Sequence, residues 1–417
     1  MTDLWPLPRD PIVGEVEEAC ERLRLARRYR ELDRHPEFPR AEFRALGKAR
    51  LLGLTVPRRL GGRGLTTSRA AVALFHLAYR AGTAFAKLAM QPEFCSVLAE
   101  RGGPTMADRW FRPILAGRAL VGNHITEPTA GSDALAMALQ VTRRGKDYVL
   151  HGTKSEAAFA VDAEAAIVYG RAPGTLGAEG VTGFLVPQEL SGITRSLAPA
   201  DLGERWQRRG TVVYDHVAVP MTYRIGEEGE GFRYLRRELV RDRGLLAAIY
   251  LGVARASWDE TVRDVGERVT FGRRLSERQS VTFPLVDDGV QLEATWLFTQ
   301  RALARVDEGA DGAADTAMAK VRATEVALAT LDHCVQFHGG AGYSSAFPHE
   351  QRWRDVRSGP IAHGPSEVLR GVAASRIWSK GSRTASRGAR TEGPPLPRER
   401  PLGTGRGTRR GRRPRRF

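Results

Sequence analysis

Apolar positions along the chain change their period twice. From residue 12 to 118 they recur at helical spacing. Val13 to Leu32 opens with a helix, and Pro39 to Leu52 gives a second that ends at Gly53. A loop, TVPRRLGGRGLTTSR, precedes a long apolar helix from Ala70 to about Leu98, in which His76 reads as a packed residue. Near residue 119 the pattern turns to short β-branched runs bounded by Gly, Pro and Asp. These are ALVGNHI, LQVTRR, YVLHG, AAIVYGR, VTGFLV and VVYDHVAVP, with a hairpin turn at Arg144-Gly145-Lys146-Asp147. From Gly231 the helical period returns, with helices over Phe283–Val306 and Ala314–His338, the latter stopped by Gly339-Gly340. The order predicts a multidomain α+β chain. Its parts are an N-terminal helical domain (1–118), a middle β-domain (119–225), a C-terminal helical bundle (226–377) and a tail (378–417).

The stretch from Gly231 to Trp258 organises the bundle. Phe232, Leu235, Leu239, Leu246, Ile249 and Val253 alternate by threes and fours, as on a helix with one buried face. Asp242 fills the gap in that stripe, and no Lys or Arg stands three or four residues away. A carboxyl set into an apolar seam loses hydration, so its pKa rises and it becomes a candidate proton acceptor. The alternative is that Asp242 tilts to the edge of the seam or pairs with an Arg from elsewhere.

Composition narrows the class. The 417 residues are 42% hydrophobic and 27% charged, which suits a globular protein of two or three subdomains. No apolar run approaches the roughly 18 residues of a membrane span, and the N-terminus has no apolar signal core, so a cytoplasmic location is expected. Cys20, Cys95 and Cys334 are too few and too scattered for a disulfide framework or a zinc site, and no metal is expected. The net charge of +16 is concentrated in the tail from Arg376, where 14 Lys/Arg oppose Glu392 and Glu399. That tail, rich in Arg, Gly and Pro, reads as disordered. A charge so placed argues against a nucleic-acid-binding body.

Three clusters have the residue types of a ligand site. HITEPTAGSDA (124–134) puts small residues and hydroxyls on a tight turn after a strand, where a flat polar ring could approach the backbone; an ordinary β-turn has the same composition. GERVTFGRRLSERQ (266–279) places Arg268 and Arg273 near Phe271-Gly272, and Arg forks suit a pyrophosphate or simply end a charged helix. In QFHGGAGYSSAFPHEQRWRD (336–355), Gly339, Gly340 and Gly342 permit close backbone approach, but a helix precedes them, so this is not a Rossmann fingerprint.

Taken together and in this order, the segments resemble the acyl-CoA dehydrogenase family over residues 20 to 377. TEPTAGSD is similar to the family's TEPxAGSD flavin turn. ERVTFG with Gln279 is similar to its Arg-x-x-Phe-Gly…Gln element, HGGAGY to its GGxGY loop, and DLGERWQRRGTVVYDHVAVP to the segment closing its β-domain. The resemblance implies a middle domain that is β-barrel-like, a four-helix bundle, and FAD held between the two. It implies that His124, Ile125, Thr126 and Ser132 serve the isoalloxazine. Arg268, Phe271, Gln279, Gln336, Gly339 and Gly340 would serve the pyrophosphate and adenine side of a neighbouring subunit's FAD, so a homodimer or homotetramer follows. It also implies an acyl-CoA or acyl-carrier-protein substrate, with Ser132 and Arg243 on the substrate side. A base removes the α-proton while the β-hydride leaves for the flavin, and an electron-transfer flavoprotein is the expected acceptor.

Several positions depart from that pattern. His363 in IAHGPSEVLR stands where most members carry the catalytic Glu, and Pro365 replaces a flavin-contacting Thr. In GTKSEAAFA, Glu156, Ala157 and Ala158 replace Trp, Ile and Ser or Thr. A minority of the family take their base from a Glu just before an Arg on the helix matching Gly231–Trp258, the place of Asp242-Arg243. Asp242 is therefore the expected base and His363 the alternative. The rival readings are a flavin-dependent monooxygenase on the same fold and a catalytically silent partner subunit.

Overall fold

The computed structural model describes residues 5–379. Residues 1–4 and 380–417 lie outside the described residues, and with them the basic tail that was expected to be disordered.

The N-terminal part holds α1 (Ile12–Arg22), α2 (Leu25–Arg34), α3 (Arg40–Lys48) and α4 (Thr67–Phe94), then short helices α5 (Ser96–Arg101), α6 (Gly103–Met106) and α7 (Arg112–Leu115). The single helix expected from Val13 to Leu32 is two, because Arg24 takes a left-handed conformation (φ 52°) between α1 and α2. The break turns Leu25, Tyr29 and Leu32 into the core. The second expected helix stops at Lys48 rather than at Gly53. Thr66 caps α4 by accepting the Arg69 N–H at 3.3 Å, and the Asp307 carboxylate accepts the N–H groups of Thr67 and Ser68 at 2.6 and 3.0 Å. Negative charge at this end complements the helix dipole. His76 is packed, its Nε2 2.7 Å from the Pro8 carbonyl.

The middle domain is a sheet of β1 (Val121–His124), β2 (Gln140–Arg144), β3 (Asp147–Ala157), β4 (Ala165–Arg171), β5 (Val181–Pro187), β6 (Ile193–Leu197), β7 (Gly210–Pro220) and β8 (Arg224–Ile225). Its order is β6-β7-β3-β2-β4-β5-β8, with β1 parallel to β4. The expected hairpin forms, Arg144 opposite Asp147 across Gly145-Lys146. Along β7, Val212, Tyr214, Val217 and Val219 point inward to meet Leu150 and Phe184.

The C-terminal part begins with α8 (Gly231–Glu267). A two-stranded arm follows, β9 (Val269–Thr270) and β10 (Arg273–Arg274), and then α9 (Gln279–Asp307), α10 (Ala313–His338), α11 (His349–Val356) and α12 (Ser366–Ser379). The seam helix was expected to bury one face. Over Gly244–Trp258 it is buried all round, enclosed by α4, α9 and α10. Small residues make this possible: a Cβ on Gly252 would stand 2.3 Å from the Phe75 carbonyl oxygen of α4.

Asp355 of α11 ties the three parts together. It accepts from Tyr29 Oη (2.6 Å), Thr83 Oγ1 (2.9 Å) and the Glu204 N–H (2.6 Å). Lys87 of α4 adds a buried pair with Glu204 at 2.5 Å. Among the described residues no helix is long and apolar enough to cross a membrane.

Gly82 interrupts α4 with φ 76° and ψ −176°, and a Cβ there would lie 2.4 Å from the Tyr29 ring. Gly82→Ala should lower stability by about 3 kcal/mol, the sum of a left-handed backbone and an overpacked ring. Denaturant unfolding should show a lower midpoint with little change in slope.

Candidate active site

Strand β1 leads into the turn that begins at Ile125. Glu127 and Ala130 exchange main-chain hydrogen bonds at 3.1 Å and close the turn tightly. What holds it is a buried ion pair. Lys154 of β3, with no exposed surface, donates to Glu127 Oε1 at 2.8 Å and to the Ile125 carbonyl at 2.9 Å. Glu127 also accepts the N–H groups of Ala138 (2.6 Å) and Leu139 (3.0 Å), and Ser155 N–H donates to the Thr126 carbonyl at 2.9 Å. Burial, opposed by Glu127, brings the Lys154 ammonium down to about 8. Neither Lys154 nor Glu127 was singled out from the sequence; β3 reads DYVLHGTKSEA, polar enough that a Lys within it gives no signal of burial.

The turn leaves Thr126 half-buried and Ser132 exposed. The His124 side chain points the other way, into the sheet, with Nδ1 2.7 Å from Tyr214 Oη. Burial, with Lys154 and Arg195 nearby, pushes its imidazole down to about 3. Only the main chain of His124 is available to a ligand at the turn.

Asp242 lies on α8 with no exposed surface, and neither carboxyl oxygen has a hydrogen-bond partner. It neither tilts to an edge nor forms an ion pair. Burial, reinforced by the neighbouring Glu238 charge and opposed by Arg241, holds its carboxyl well above the usual carboxylate range. Its surroundings are acidic. Arg241 is committed to Glu238 and to Ser96 Oγ (3.0 Å), and Glu93 accepts the Thr55 N–H at 3.0 Å. Burial, then the nearby carboxyls of Glu238 and Asp242, push the Cys95 thiol and the Tyr169 phenol up. These two belong to the same apolar cluster as Leu235 and Val121, and Ile125, Phe94 and Leu239 pack against it. The turn that begins at Ile125 and the Asp242 stretch of α8 therefore share one packed core.

The next residue, Arg243, reaches a different segment. Its Nε donates to the His363 carbonyl at 3.0 Å. Lys320 of α10 donates to the carbonyls on either side, Ala362 (2.8 Å) and Gly364 (2.9 Å). His363 is left-handed (φ 55°) and its ring lies 5.1 Å from that of Phe94. Burial, then the charges of Lys87, Lys320 and Arg243, push the imidazole down to about 3, so it is neutral at physiological pH and a poor proton acceptor. Lys320 itself is drawn down to about 7 by burial and the same cations.

The remaining candidates lie at the far end of the bundle. Phe271 (φ 50°) and Gly272 (φ 74°) form the turn between β9 and β10, and Phe271 is 97% exposed. Arg268 donates to the Phe337 carbonyl at 3.1 Å, and its Nη2 would lie 3.6 Å from a Cβ on Gly339. Gln336 and Gly340 are exposed on the same helix end, and Gln279 opens α9. The structure brings Arg268 to the Gln336–Gly340 segment and leaves the whole group facing outward.

Comparison with known proteins identifies the family. Residues 12–118, 122–217 and 229–378 match the models of the acyl-CoA dehydrogenase N-terminal, middle and C-terminal domains. The short-chain specific acyl-CoA dehydrogenase of Homo sapiens is 30% identical over 83% of this chain and 84% of its own length. Benzylmalonyl-CoA dehydrogenase of Aromatoleum aromaticum is 33% identical over 85% of this chain and 94% of its own. The structure of butyryl-CoA dehydrogenase from Megasphaera elsdenii superposes with a TM-score of 0.83 at 26% identity, over 89% of this chain and all of that one. With these matches spanning all three parts, the chain belongs to the acyl-CoA dehydrogenase family.

Proposed function

We propose that this chain is an FAD-dependent dehydrogenase of acyl thioesters that uses Asp242 as its proton acceptor. The family is FAD-dependent, and the residues at the turn fit a flat cofactor. Asn123 Oδ1 is buried there without a partner, Ala158 is small, and a Cβ on Gly131 would meet nothing nearer than Thr126 Cγ2 at 3.9 Å. Ile125, Thr126 and Ser132 would hold the ring. Glu156, where a Trp was expected, is drawn aside to Arg209 at 2.7 Å rather than left free to repel it. Bound FAD supplies a hydride acceptor.

The protein supplies the proton chemistry. Asp242 is kept dry, unpaired and high in pKa, which suits removal of a weakly acidic α-proton near neutral pH; that one residue supports the reading most. Arg243 and Lys320 fix the 362–364 loop, and the neutral His363 ring with Phe94 forms an apolar wall rather than a second base. Both Asp242 oxygens are sealed by packing, so an acyl chain must part the surrounding side chains to reach them. The thioester carrier is CoA or a phosphopantetheine arm. The exposed Phe271 arm and the Gln336–Gly340 end complete the cofactor site of a neighbouring subunit in a cytoplasmic homodimer or homotetramer, and an electron-transfer flavoprotein takes the electrons. A silent partner subunit is the second reading, favoured by Glu156 and His363 at positions where the family keeps other residues.

Anaerobic titration of the FAD-loaded protein with a panel of acyl-CoA and acyl-carrier thioesters tests the reaction. At least one thioester should bleach the flavin absorbance, Asp242→Asn should slow bleaching by at least ~100-fold, and His363→Ala should leave it within about tenfold. Loss in His363→Ala with survival in Asp242→Asn would reverse the assignment of the base. Stable FAD binding with no bleaching by any thioester would support the silent reading.

Two pH dependences follow from the raised Asp242 pKa. The bleaching rate should rise with pH, because the acceptor works only when ionised. Stability should move oppositely. The unfolded chain ionises this group near its ordinary value while the folded chain keeps it protonated, so folding is weakened as pH rises from the unfolded to the folded pKa. The Tm of Asp242→Asn relative to wild type should therefore increase from pH 5 to pH 8; a flat difference would mean the carboxyl is not perturbed.

A further inference from the structure

The outer face of the sheet carries a cluster that the proposed reaction does not use. Strands β3 and β7 pair with Leu150 opposite Val217 and Gly152 opposite Tyr214. Between these pairs one residue of β3, His151, faces two of β7, Asp215 and His216. This is a β-bulge, and it changes where side chains point. In an unbroken strand Asp215 and His216 would lie on opposite faces. Here both are exposed, as is His151. His216 takes a left-handed conformation (φ 54°), uncommon for a residue with a Cβ.

The bulge gathers ligand atoms. Asp215 Oδ1 lies 2.7 Å from His216 Nδ1 and 3.4 Å from His151 Nδ1. The two imidazole rings have centroids 4.2 Å apart and planes inclined by 30°. One ligand atom from each of the three residues falls within 4.8 Å of the others. A zinc-sized ion bound about 2.0–2.1 Å from each ligand needs ligands roughly 3.3 Å apart, so small side-chain rotations suffice. The Asp215 N–H, held by the Gly192 carbonyl at 2.8 Å, fixes the backbone under the site.

We propose that His151, Asp215 and His216 form a surface site for one divalent late first-row transition ion, zinc or copper(II), with water completing the coordination. Two imidazoles and one carboxylate suit these ions, whereas magnesium and calcium prefer all-oxygen sites. The sequence predicts no metal, because its cysteines lack metal-binding spacing. These ligands lie 64 and 65 residues apart in the chain, and only the bulge unites them. The bound ion would pin β3 to β7, remote in role from the Asp242 chemistry.

The test uses the untagged, FAD-loaded full chain after treatment with a chelator. Calorimetric titration with Zn²⁺ and with Cu²⁺ should show one tight equivalent, and the electron paramagnetic resonance spectrum of the Cu²⁺ form should show two nitrogen ligands. His151→Ala and His216→Gly should each weaken binding at least tenfold. Glycine at 216 keeps the left-handed backbone at no steric cost, so loss of binding there reports ligation and not misfolding. Zn²⁺ should raise the Tm of wild type and not of the double variant, and Mg²⁺ should raise neither. Tight binding that persists in the double variant, a spectrum with fewer than two nitrogens, or no uptake below millimolar ion would overturn the site.

Discussion

The exclusion of water around α8 is the constraint on which the rest depends. A helix packed on every side by other helices cannot hydrate any side chain over its middle turns. Apolar and small residues accept this readily, which is why Leu245 to Val253 are buried with little polar interruption. Asp242 sits just before that stretch and shares its dryness. A carboxyl in such a place is costly as an anion and is normally neutralised by an ion pair. Here the nearest arginine, Arg241, is committed to Glu238, and the next, Arg243, is committed to the His363 carbonyl. The absence of a partner for Asp242 thus follows from where its neighbours are bound.

Buried polar groups at the junctions do the complementary work. Asp355 receives hydrogen bonds from α2, α4 and the segment before β7, Lys154 binds the turn after β1, and Lys320 spans the carbonyls around His363. In each case irregular backbone that apolar packing could not orient is held by a charged side chain with a low-dielectric surround, where a hydrogen bond gains strength. The regular elements bring the segments into proximity, and these charges fix their geometry. The turn after β1 and the 362–364 loop are accordingly each anchored by a buried lysine, whereas Asp242 lies on regular helix and needs no such anchor.

Much of this could be read from the chain. The seam helix, the long helix over Ala314–His338 and the Arg144–Asp147 hairpin have strong periodic or turn signals, and the structure has them close to where they were read. What escaped had weak or distant signals. Arg24 gives no sequence warning of a left-handed break. Strand β6 is almost wholly exposed, so it has no apolar alternation to reveal it. Gly82 looked like one small residue in an apolar helix, and its role depends on the Tyr29 ring from another helix. Asp242 was legible as a dry carboxyl because periodicity is local. The acidic company of Glu93 and Glu238 was only half legible, since Glu93 comes from α4. The neutral state of His363 was not legible, because it is set by burial and then by Lys87, Lys320 and Arg243, which come from three different helices.

A titratable side chain and its surroundings act together at His363. Three cations converge on the position of His363. Around a carboxylate they would be stabilising partners; around an imidazole they oppose protonation, in the same direction as burial. Histidine there is held in its neutral form, and its ring is used for packing against Phe94 instead of for charge. The 362–364 loop does not depend on the side chain to keep its shape, because Arg243 and Lys320 bind its carbonyls and not its ring. A neutral side chain at this position is therefore compatible with the shape of the loop. The proton-accepting role we propose rests one residue away from Arg243, on the Asp242 carboxyl that packing has left without a partner.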